Sequence, residues 1–292
     1  MSTSTSTAGA CLCGAVTFEI APPYRWFAHC HCSMCRKQHG NLFGTGMGVA
    51  RERFRWLTGI LDIAHYRATA AFERPFCRHC GSSVPAISHD EDVWNVPAGL
   101  LAGDPGARPR SHIFVASQSP LHTIGDSLPQ HAAYPPGIDL PVVEPRRSPP
   151  SPAALDGSCL CGAVAFAGRV MPRLVVNCHC SLCRRSSGGA FTSTLLVAEN
   201  DFAWRRGTER VCRYAAPQRN FGVGFCADCG SSVPAAVPND RTVRVPAGAI
   251  DTELAPLRVV HAHVRSKAKW YETRDTWPQF DFSPPGEIKE PT

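Results

Sequence analysis

The sequence predicts a mainly β protein made of two tandem copies of one domain, with only short helical turns. Three observations support this. Apolar and polar residues alternate over short stretches such as 15–20 and 163–166, which is the period of a half-buried strand. Proline is frequent, with 26 residues in 292, and it interrupts helices. A seven-cysteine pattern occurs twice, and its second copy begins 148 residues after the first.

The repeat extends well beyond cysteine. CLCGAVTFEI in the first half matches CLCGAVAFAG in the second, and FCRHCGSSVPA matches FCADCGSSVPA. The offset is 148 residues up to Tyr66 and Tyr214 and 149 from Cys77 and Cys226 onward, so the second copy carries one extra residue. We therefore predict homologous domains over 8–131 and 155–282.

The segments outside the repeats are rich in proline and polar residues. Residues 132–154 show little hydrophobic periodicity and are predicted to form an extended linker of polyproline character. Residues 283–292 are predicted to be a flexible tail.

Composition restricts the classes of partner and compartment. The net charge is +6, but no basic run exceeds two residues, which argues against a dedicated nucleic-acid surface. No stretch approaches about 18 apolar residues, so no membrane span is predicted. The first residues do not resemble a secretory signal, so a reducing cytoplasmic location is expected. Clustered thiols there are more often metal ligands than disulfides.

Seven thiols per copy divide naturally into four and three. A closed structural zinc site takes four ligands, whereas a reactive site takes three and keeps one position open. The outer Cys-x-Cys and Cys-x-x-Cys pairs would form a structural centre that joins distant parts of each domain: Cys11, Cys13, Cys77 and Cys80, and in the second copy Cys159, Cys161, Cys226 and Cys229.

The central Cys-x-Cys-x-x-Cys group supplies three thiols to one metal in each copy: Cys30, Cys32 and Cys35, and in the second copy Cys178, Cys180 and Cys183. Two interpretations are open. His31 and His179, which lie between the first two cysteines, could close the site as a fourth ligand. A residue between two ligands tends to point away from their metal, however, so an exchangeable fourth position is expected. In total, two Zn²⁺ ions per domain and four per chain are predicted.

The charge of the three-cysteine centre indicates which ligand it would accept. Three thiolates overcompensate Zn²⁺, which makes the ion a weak Lewis acid toward water. A fourth soft ligand is favoured, and coordination removes a thiol proton. A small exogenous thiol is therefore the expected partner, and addition of that thiol to a carbonyl is the expected type of reaction.

These motifs resemble the glutathione-dependent formaldehyde-activating enzyme family, which includes the domain of centromere protein V. The resemblance rests on the order CLCGAV, CHCSxCR and FCxxCGSSVP in both copies. It implies a zinc-dependent β-tent fold with four structural cysteines and three catalytic ones. It also implies a carbon–sulfur lyase that joins glutathione and formaldehyde, as S-(hydroxymethyl)glutathione synthase does, with a thiol such as glutathione and an aldehyde as partners. The alternative is a noncatalytic tandem zinc module that binds proteins or ligands.

Basic residues directly after the central thiols are weaker candidates. Arg36, Lys37, Arg184 and Arg185 could hold a substrate carboxylate, or they could form a solvated basic turn. The matched residues His112 and His261 are predicted to pack or hydrogen-bond. Asp126 and Asp275 are predicted to cap turns.

Overall fold

The structure is a computed structural model that describes residues 6–88, 92–138, 140–142, 154–237 and 240–285. It is mainly β, as predicted, with two short α-helices and eight 3₁₀ turns among the described residues. Neither of these helices is of a length and apolarity that would span a membrane.

The two halves contain equivalent elements in the same order, except that the short strand Ser232–Val233 of the second half corresponds to a single β-bridge between Phe76 and Ser83 in the first. The first half contains helix α1 (Ser33–His39) and ten strands: β1 (Thr7–Ala10), β2 (Thr17–Ile20), β3 (Tyr24–Cys30), β4 (Gly44–Ala50), β5 (Phe54–Thr58), β6 (Ile63–Arg67), β7 (Glu73–Cys77), β8 (Ala86–Ser88), β9 (Val93–Pro97) and β10 (Ser111–Ile113). The second half contains helix α2 (Ser181–Ser187) and eleven strands: β11 (Leu155–Ser158), β12 (Ala165–Gly168), β13 (Leu174–Cys178), β14 (Thr192–Ala198), β15 (Phe202–Arg206), β16 (Val211–Ala215), β17 (Gly222–Cys226), β18 (Ser232–Val233), β19 (Ala235–Ala236), β20 (Thr242–Pro246) and β21 (Arg258–Ala262).

A five-stranded sheet forms the centre of each half. The strand order is β10-β3-β4-β9-β8 in the first half and β21-β13-β14-β20-β19 in the second. Strands β3 and β4 are antiparallel, whereas β10 lies parallel to β3. A three-stranded sheet, β1-β2-β5 or β11-β12-β15, and the hairpin β6-β7 or its counterpart β16-β17 complete each half. The central strand β3 ends at Cys30 and β13 ends at Cys178, so the sheets deliver the first thiol of each three-cysteine group.

Both helices end at a glycine. Gly40 and Gly188 have φ of 62° and 71°, a left-handed conformation that glycine adopts without the steric cost of a Cβ. Both helices start immediately after the second central cysteine. Cys32 is the N-cap of α1, and its Sγ accepts a hydrogen bond from the Cys35 backbone N–H at 3.3 Å. The same contact between Cys180 and Cys183 measures 3.4 Å.

The two halves pack against one another around a shared hydrophobic core. Buried residues of both halves belong to one continuous cluster, which includes Phe27, Phe43, Phe191 and Trp270. The rings of Phe27 and Trp270 lie 5.6 Å apart, and those of Phe43 and Phe191 lie 5.3 Å apart. Because aromatic pairs of this kind bury large apolar areas, the core stabilises both halves together.

The repeated VPAG motif forms part of this interface. The Gly99 backbone N–H donates to the Gly188 carbonyl at 2.9 Å, so the end of α2 contacts the first half. A Cβ at Gly99 would lie 2.2 Å from the Gly189 carbonyl oxygen, and one at Gly248 would lie 2.0 Å from that of Arg36. Both approaches are too close for any residue with a side chain.

A buried ion pair crosses the interface. The Lys37 ammonium lies 2.6 Å from the Asp251 carboxylate, and both side chains are less than one-tenth exposed. Lys37 also donates to the backbone carbonyl of Ser158 at 2.9 Å. Burial lowers the pKa of Lys37, and the Asp251 carboxylate acts against that shift. The pseudo-equivalent Arg185 donates through Nε to the Cys11 carbonyl at 3.0 Å, again across the interface.

Replacing Lys37 with methionine is expected to lower the free energy of unfolding by about 3–5 kcal/mol, because the buried Asp251 carboxylate keeps the Ser158 hydroxyl as a donor but loses its counter-ion. Urea unfolding of the zinc-loaded protein measures this. The matched control is Arg51→Met, which breaks the exposed pair with Asp92 and should cost less than about 1 kcal/mol. Equal effects of the two substitutions would contradict the role given to Lys37.

The predicted linker is described only in its first part. Its residues 139 and 143–153 lie outside the described residues, as do residues 286–292 of the predicted tail. Residues 132–138 and 140–142 lie against the first half, where they contribute to the wall of a cavity. The Tyr134 ring packs edge-on against Phe114 at 4.7 Å between centroids. The described part of the linker therefore packs on the first half and lines its cavity.

Candidate metal centres and the adjoining pocket

Four sulfur atoms converge at one point in each half. Cys11 and Cys13 follow β1, whereas Cys77 ends β7 and Cys80 lies in the tight turn after it. That turn closes through the Gly81 backbone N–H, which donates to the Cys77 carbonyl at 2.9 Å. The second half repeats the arrangement, and within each group all sulfurs lie within 4.8 Å of one another: Cys11, Cys13, Cys77 and Cys80, and Cys159, Cys161, Cys226 and Cys229.

The sulfur spacing fits a chelated metal ion and excludes disulfides. Cys11 and Cys13 Sγ lie 3.4 Å apart, and Cys13 and Cys77 Sγ lie 3.6 Å apart. The corresponding pairs of the second half measure 3.4 and 3.8 Å. A disulfide requires about 2.05 Å, whereas tetrahedral zinc with Zn–S bonds of about 2.3 Å places its sulfurs about 3.8 Å apart. The residues present therefore fit tetrahedral zinc.

The second half contributes to the surroundings of the first four-cysteine group. Leu182 of α2 and Tyr214 of β16 pack against the apolar cluster that holds Cys11, Cys77 and Cys80. Tyr66 of the first half packs in the same way against the cluster of Cys159, Cys226 and Cys229. Each predicted structural centre is therefore enclosed by residues of both halves.

The central thiols form two further groups. Each has one sulfur at the end of a strand, one at a helix N-cap and one in the first helical turn: Cys30, Cys32 and Cys35, and Cys178, Cys180 and Cys183. The three sulfurs of each group lie within 4.8 Å of one another. No fourth cysteine, histidine or carboxylate joins either group in the part of the chain that the structure describes.

The histidine between the first two central cysteines has a partner of its own. His31 Nε2 lies 2.8 Å from Nδ1 of His112, whose Nε2 lies 3.1 Å from the Asp126 carboxylate. The carboxylate only accepts, so His112 donates to Asp126 through Nε2, and in the neutral tautomer of His112 its Nδ1 accepts the Nε2 proton of His31. Burial lowers the pKa of His31 to about 3, so this ring is neutral at pH 7. Neither nitrogen of His31 is placed to close the three-sulfur group.

The second half contains the same chain of contacts. His179 Nε2 lies 2.8 Å from His261 Nδ1, and His261 Nε2 lies 3.1 Å from Asp275. Asp126 and Asp275 also accept backbone N–H groups two residues further on, as predicted for turn caps. The sequence did not predict that each aspartate is connected, through two histidines, to the segment that carries the central cysteines. The signal for this connection was that the aspartates and histidines occupy matched positions in the two copies.

The four basic residues predicted as weak substrate ligands fall into two pairs. Arg36 and Arg184 each donate through Nε to the carbonyl of the histidine between the cysteines, at 3.3 Å in both halves. Lys37 and Arg185 direct their charged groups across the interface between the halves. The structure thus places Lys37 and Arg185 away from their own three-cysteine groups.

A cavity of about 550 Å³ opens beside the first three-cysteine group. Cys30, Cys32 and Cys35 line it, and the segment that contains Tyr134 forms part of its wall. Arg74 also lines the cavity, with Nη2 at 3.6 Å from Cys35 Sγ. Hydrogen bonds from Cys30 and Cys32 lower the pKa of the Cys35 thiol, and the Arg74 charge adds to that shift. Arg74 was not predicted as a site residue. The available signal was a difference between the copies, because Arg74 aligns with the apolar Val223.

Comparisons with known proteins identify the family of the chain. The family model of the glutathione-dependent formaldehyde-activating enzyme matches residues 6–117 and again residues 154–270. A Halomonas elongata protein, provisionally named a glutathione-dependent formaldehyde-activating enzyme, is 33% identical over 131 residues, which are 40% of this chain and 80% of that protein. A crystal structure of a Rhodobacter sphaeroides protein is similar at 24% identity and a TM-score of 0.30, covering 35% of this chain and 91% of that one. The chain belongs to the glutathione-dependent formaldehyde-activating enzyme family, whose model it matches twice.

Proposed function

We propose that each half, over 8–131 and 155–282, is a domain that holds two zinc ions, which makes four per chain. The four-cysteine groups would hold structural zinc, since their four sulfurs complete a tetrahedral set and join segments 64 and 65 residues apart. The three-cysteine groups would hold reactive zinc. A cytoplasmic location suits these groups, because clustered thiols in a reducing compartment are more often metal ligands than disulfides.

We further propose that the protein is a carbon–sulfur lyase that binds a small thiol such as glutathione and forms or cleaves its adduct with an aldehyde. The observation that carries this proposal is that three sulfurs converge beside a cavity and that no fourth side chain joins them among the described residues. When bound there, zinc supplies a position for a soft ligand and favours the deprotonated form of a thiol.

The reaction is an addition without change of oxidation state. The thiol sulfur forms a bond to the aldehyde carbon, the π electrons of the carbonyl move to oxygen, and the proton lost by the thiol ends on that oxygen. The protein's residues contribute by positioning. The N-cap contacts hold Cys32 and Cys180, and the buried chains from Asp126 and Asp275 orient the histidines between the cysteines.

Exchange NMR on a mixture of glutathione and formaldehyde tests this function. We expect the zinc-loaded protein to accelerate exchange between the free thiol and its hydroxymethyl adduct. Cys212 lies outside both kinds of sulfur group, so the Cys212→Ser variant should retain the acceleration. If neither glutathione nor another small thiol shows faster exchange, the lyase proposal is wrong.

A further inference from the structure

The two three-cysteine groups have different surroundings although their sulfurs are matched. The first half has Gln38 where the second has Ser186, and it has Arg74 where the second has Val223. Both Gln38 and Arg74 line the 550 Å³ cavity beside Cys35. Gln38 follows Cys35 by three residues in α1, so the two side chains lie on the same face of the helix.

Arg74 has a donor group that no hydrogen bond within the described ranges of the chain uses. Its Nη2 contacts Cys35 Sγ at 3.6 Å, but its Nε is buried without a hydrogen-bond partner among the described residues. The planar guanidinium presents paired donors that match a carboxylate.

Gln38 is a second polar group without a full set of partners. Its side chain is 3% exposed. Its Nε2 donates to Ser83 Oγ at 3.4 Å, whereas its Oε1 has no partner in the described part of the chain. A buried amide oxygen without a hydrogen bond is unfavourable, and a ligand N–H that donates to it would remove that cost.

The corresponding residues of the second half offer no unused hydrogen-bonding group of this kind. Val223 is apolar, and the Ser186 hydroxyl donates to the Cys183 carbonyl of its own helix at 2.9 Å. Arg244 lies at the position of Asn95, but its guanidinium donates to the Gly222 carbonyl and lies over the Phe221 ring. The Arg244 guanidinium is therefore already occupied by protein groups.

We propose that the first pocket selects a small thiol that carries a carboxylate, which Arg74 binds, and an N–H group, which Gln38 accepts. The second centre lacks this selectivity. The inference rests on the proposed function, because it assumes that a thiol binds at the three-cysteine group. Electrostatics support it, since three thiolates around Zn²⁺ leave a net negative charge that would repel an anionic ligand unless Arg74 offsets it.

Two thiols that differ only in the carboxylate test the proposal. N-acetylcysteine and N-acetylcysteamine share the thiol and the amide N–H. Their binding is measured by calorimetry on zinc-loaded full-length protein in which Cys180→Ser disables the second centre. We expect N-acetylcysteine to bind about 10–100-fold more tightly, as a charge-assisted pair provides. In the matched Cys32→Ser protein, which retains only the second centre, the two affinities should agree within about threefold.

Variants separate binding from a merely structural role. Arg74→Val should remove the preference for N-acetylcysteine, so that the ratio of the two affinities falls to about one, whereas Gln38→Ser should weaken both thiols and keep their ratio. Equal affinity of the first centre for the two thiols would overturn the inference without affecting the proposed function, and this comparison requires no Arg74 variant. Equal weakening of both thiols by Arg74→Val would likewise overturn it. If neither thiol binds either centre, the proposed function itself is wrong.

Discussion

Replacing Cys77 with serine is expected to unfold the protein or to lower its free energy of unfolding by more than about 5 kcal/mol. Structural zinc sites contribute about 10–16 kcal/mol in zinc-finger peptides, which is comparable to the whole stability of a domain. Cys77 is fully buried and ends β7, where its Sγ lies 3.6 Å from that of Cys13. No other sulfur among the described residues is placed to replace it.

The structural effect of Cys77→Ser should extend from the first half into the second. Arg185 donates to the Cys11 carbonyl, and Leu182 and Tyr214 pack on the same cluster, so α2 loses a buried surface when this centre is lost. Zinc content, urea unfolding and near-UV circular dichroism measure the effect. Cys212→Ser is the control and should behave as the unmodified protein. A Cys77→Ser protein that retains all its zinc and its stability would contradict the structural role of this centre.

Replacing Cys32 and Cys180 together is expected to abolish thiol exchange and to retain the fold. Zinc content should fall from about four ions per chain to about two. The exchange rate should fall by more than about a hundredfold, since even groups that only orient a metal ligand cost about 10–100-fold when removed. Serine is the appropriate replacement because it is itself a favoured N-cap residue and keeps the helix start intact.

The single variants show which half is active. Cys32→Ser alone should remove the contribution of the first half, and Cys180→Ser that of the second. The thermal transition of each variant should remain close to that of the unmodified protein, in contrast to Cys77→Ser. If the double variant retained full exchange activity, the reactive centres would lie elsewhere.

Much of the fold and of the candidate metal centres could be predicted from the sequence, because these features depend on residues that lie close together in the chain. The thiols of each central group lie within six residues, so one turn of chain brings them together regardless of the rest of the fold. The period of two identified β2 and β12, and glycine marked the ends of α1 and α2. The pairing of the outer cysteines followed from the number of ligands that zinc needs.

The features that were missed depend on contacts between distant segments. Lys37 follows the central cysteines and looks like a substrate ligand, but the direction of α1 places its ammonium on Asp251 of the other half. The VPAG motif gave no sign of an interface, since its role appears only when a helix end approaches it. Arg74 precedes Cys77 by three residues, yet the hairpin β6-β7 brings it beside Cys35. The spacing of residues along the chain does not predict these contacts between distant segments.

The packing of the halves also bears on the alternative of a noncatalytic tandem module. Two modules on a free tether would gain affinity by engaging two targets independently. The shared core and the Lys37–Asp251 pair instead hold the halves against each other. The packing therefore favours one compact body in which the two three-cysteine groups have different surroundings.

X-ray absorption at the zinc edge, measured on the four-zinc protein with and without a small thiol, tests the central claim most directly. Two four-sulfur and two three-sulfur centres predict about 3.5 sulfur ligands per zinc on average, with the remainder nitrogen or oxygen. Saturation with glutathione should raise the average to about 4. Four protein ligands at every zinc, with no change when the thiol is added, would contradict the claim that the central trio keeps a position open.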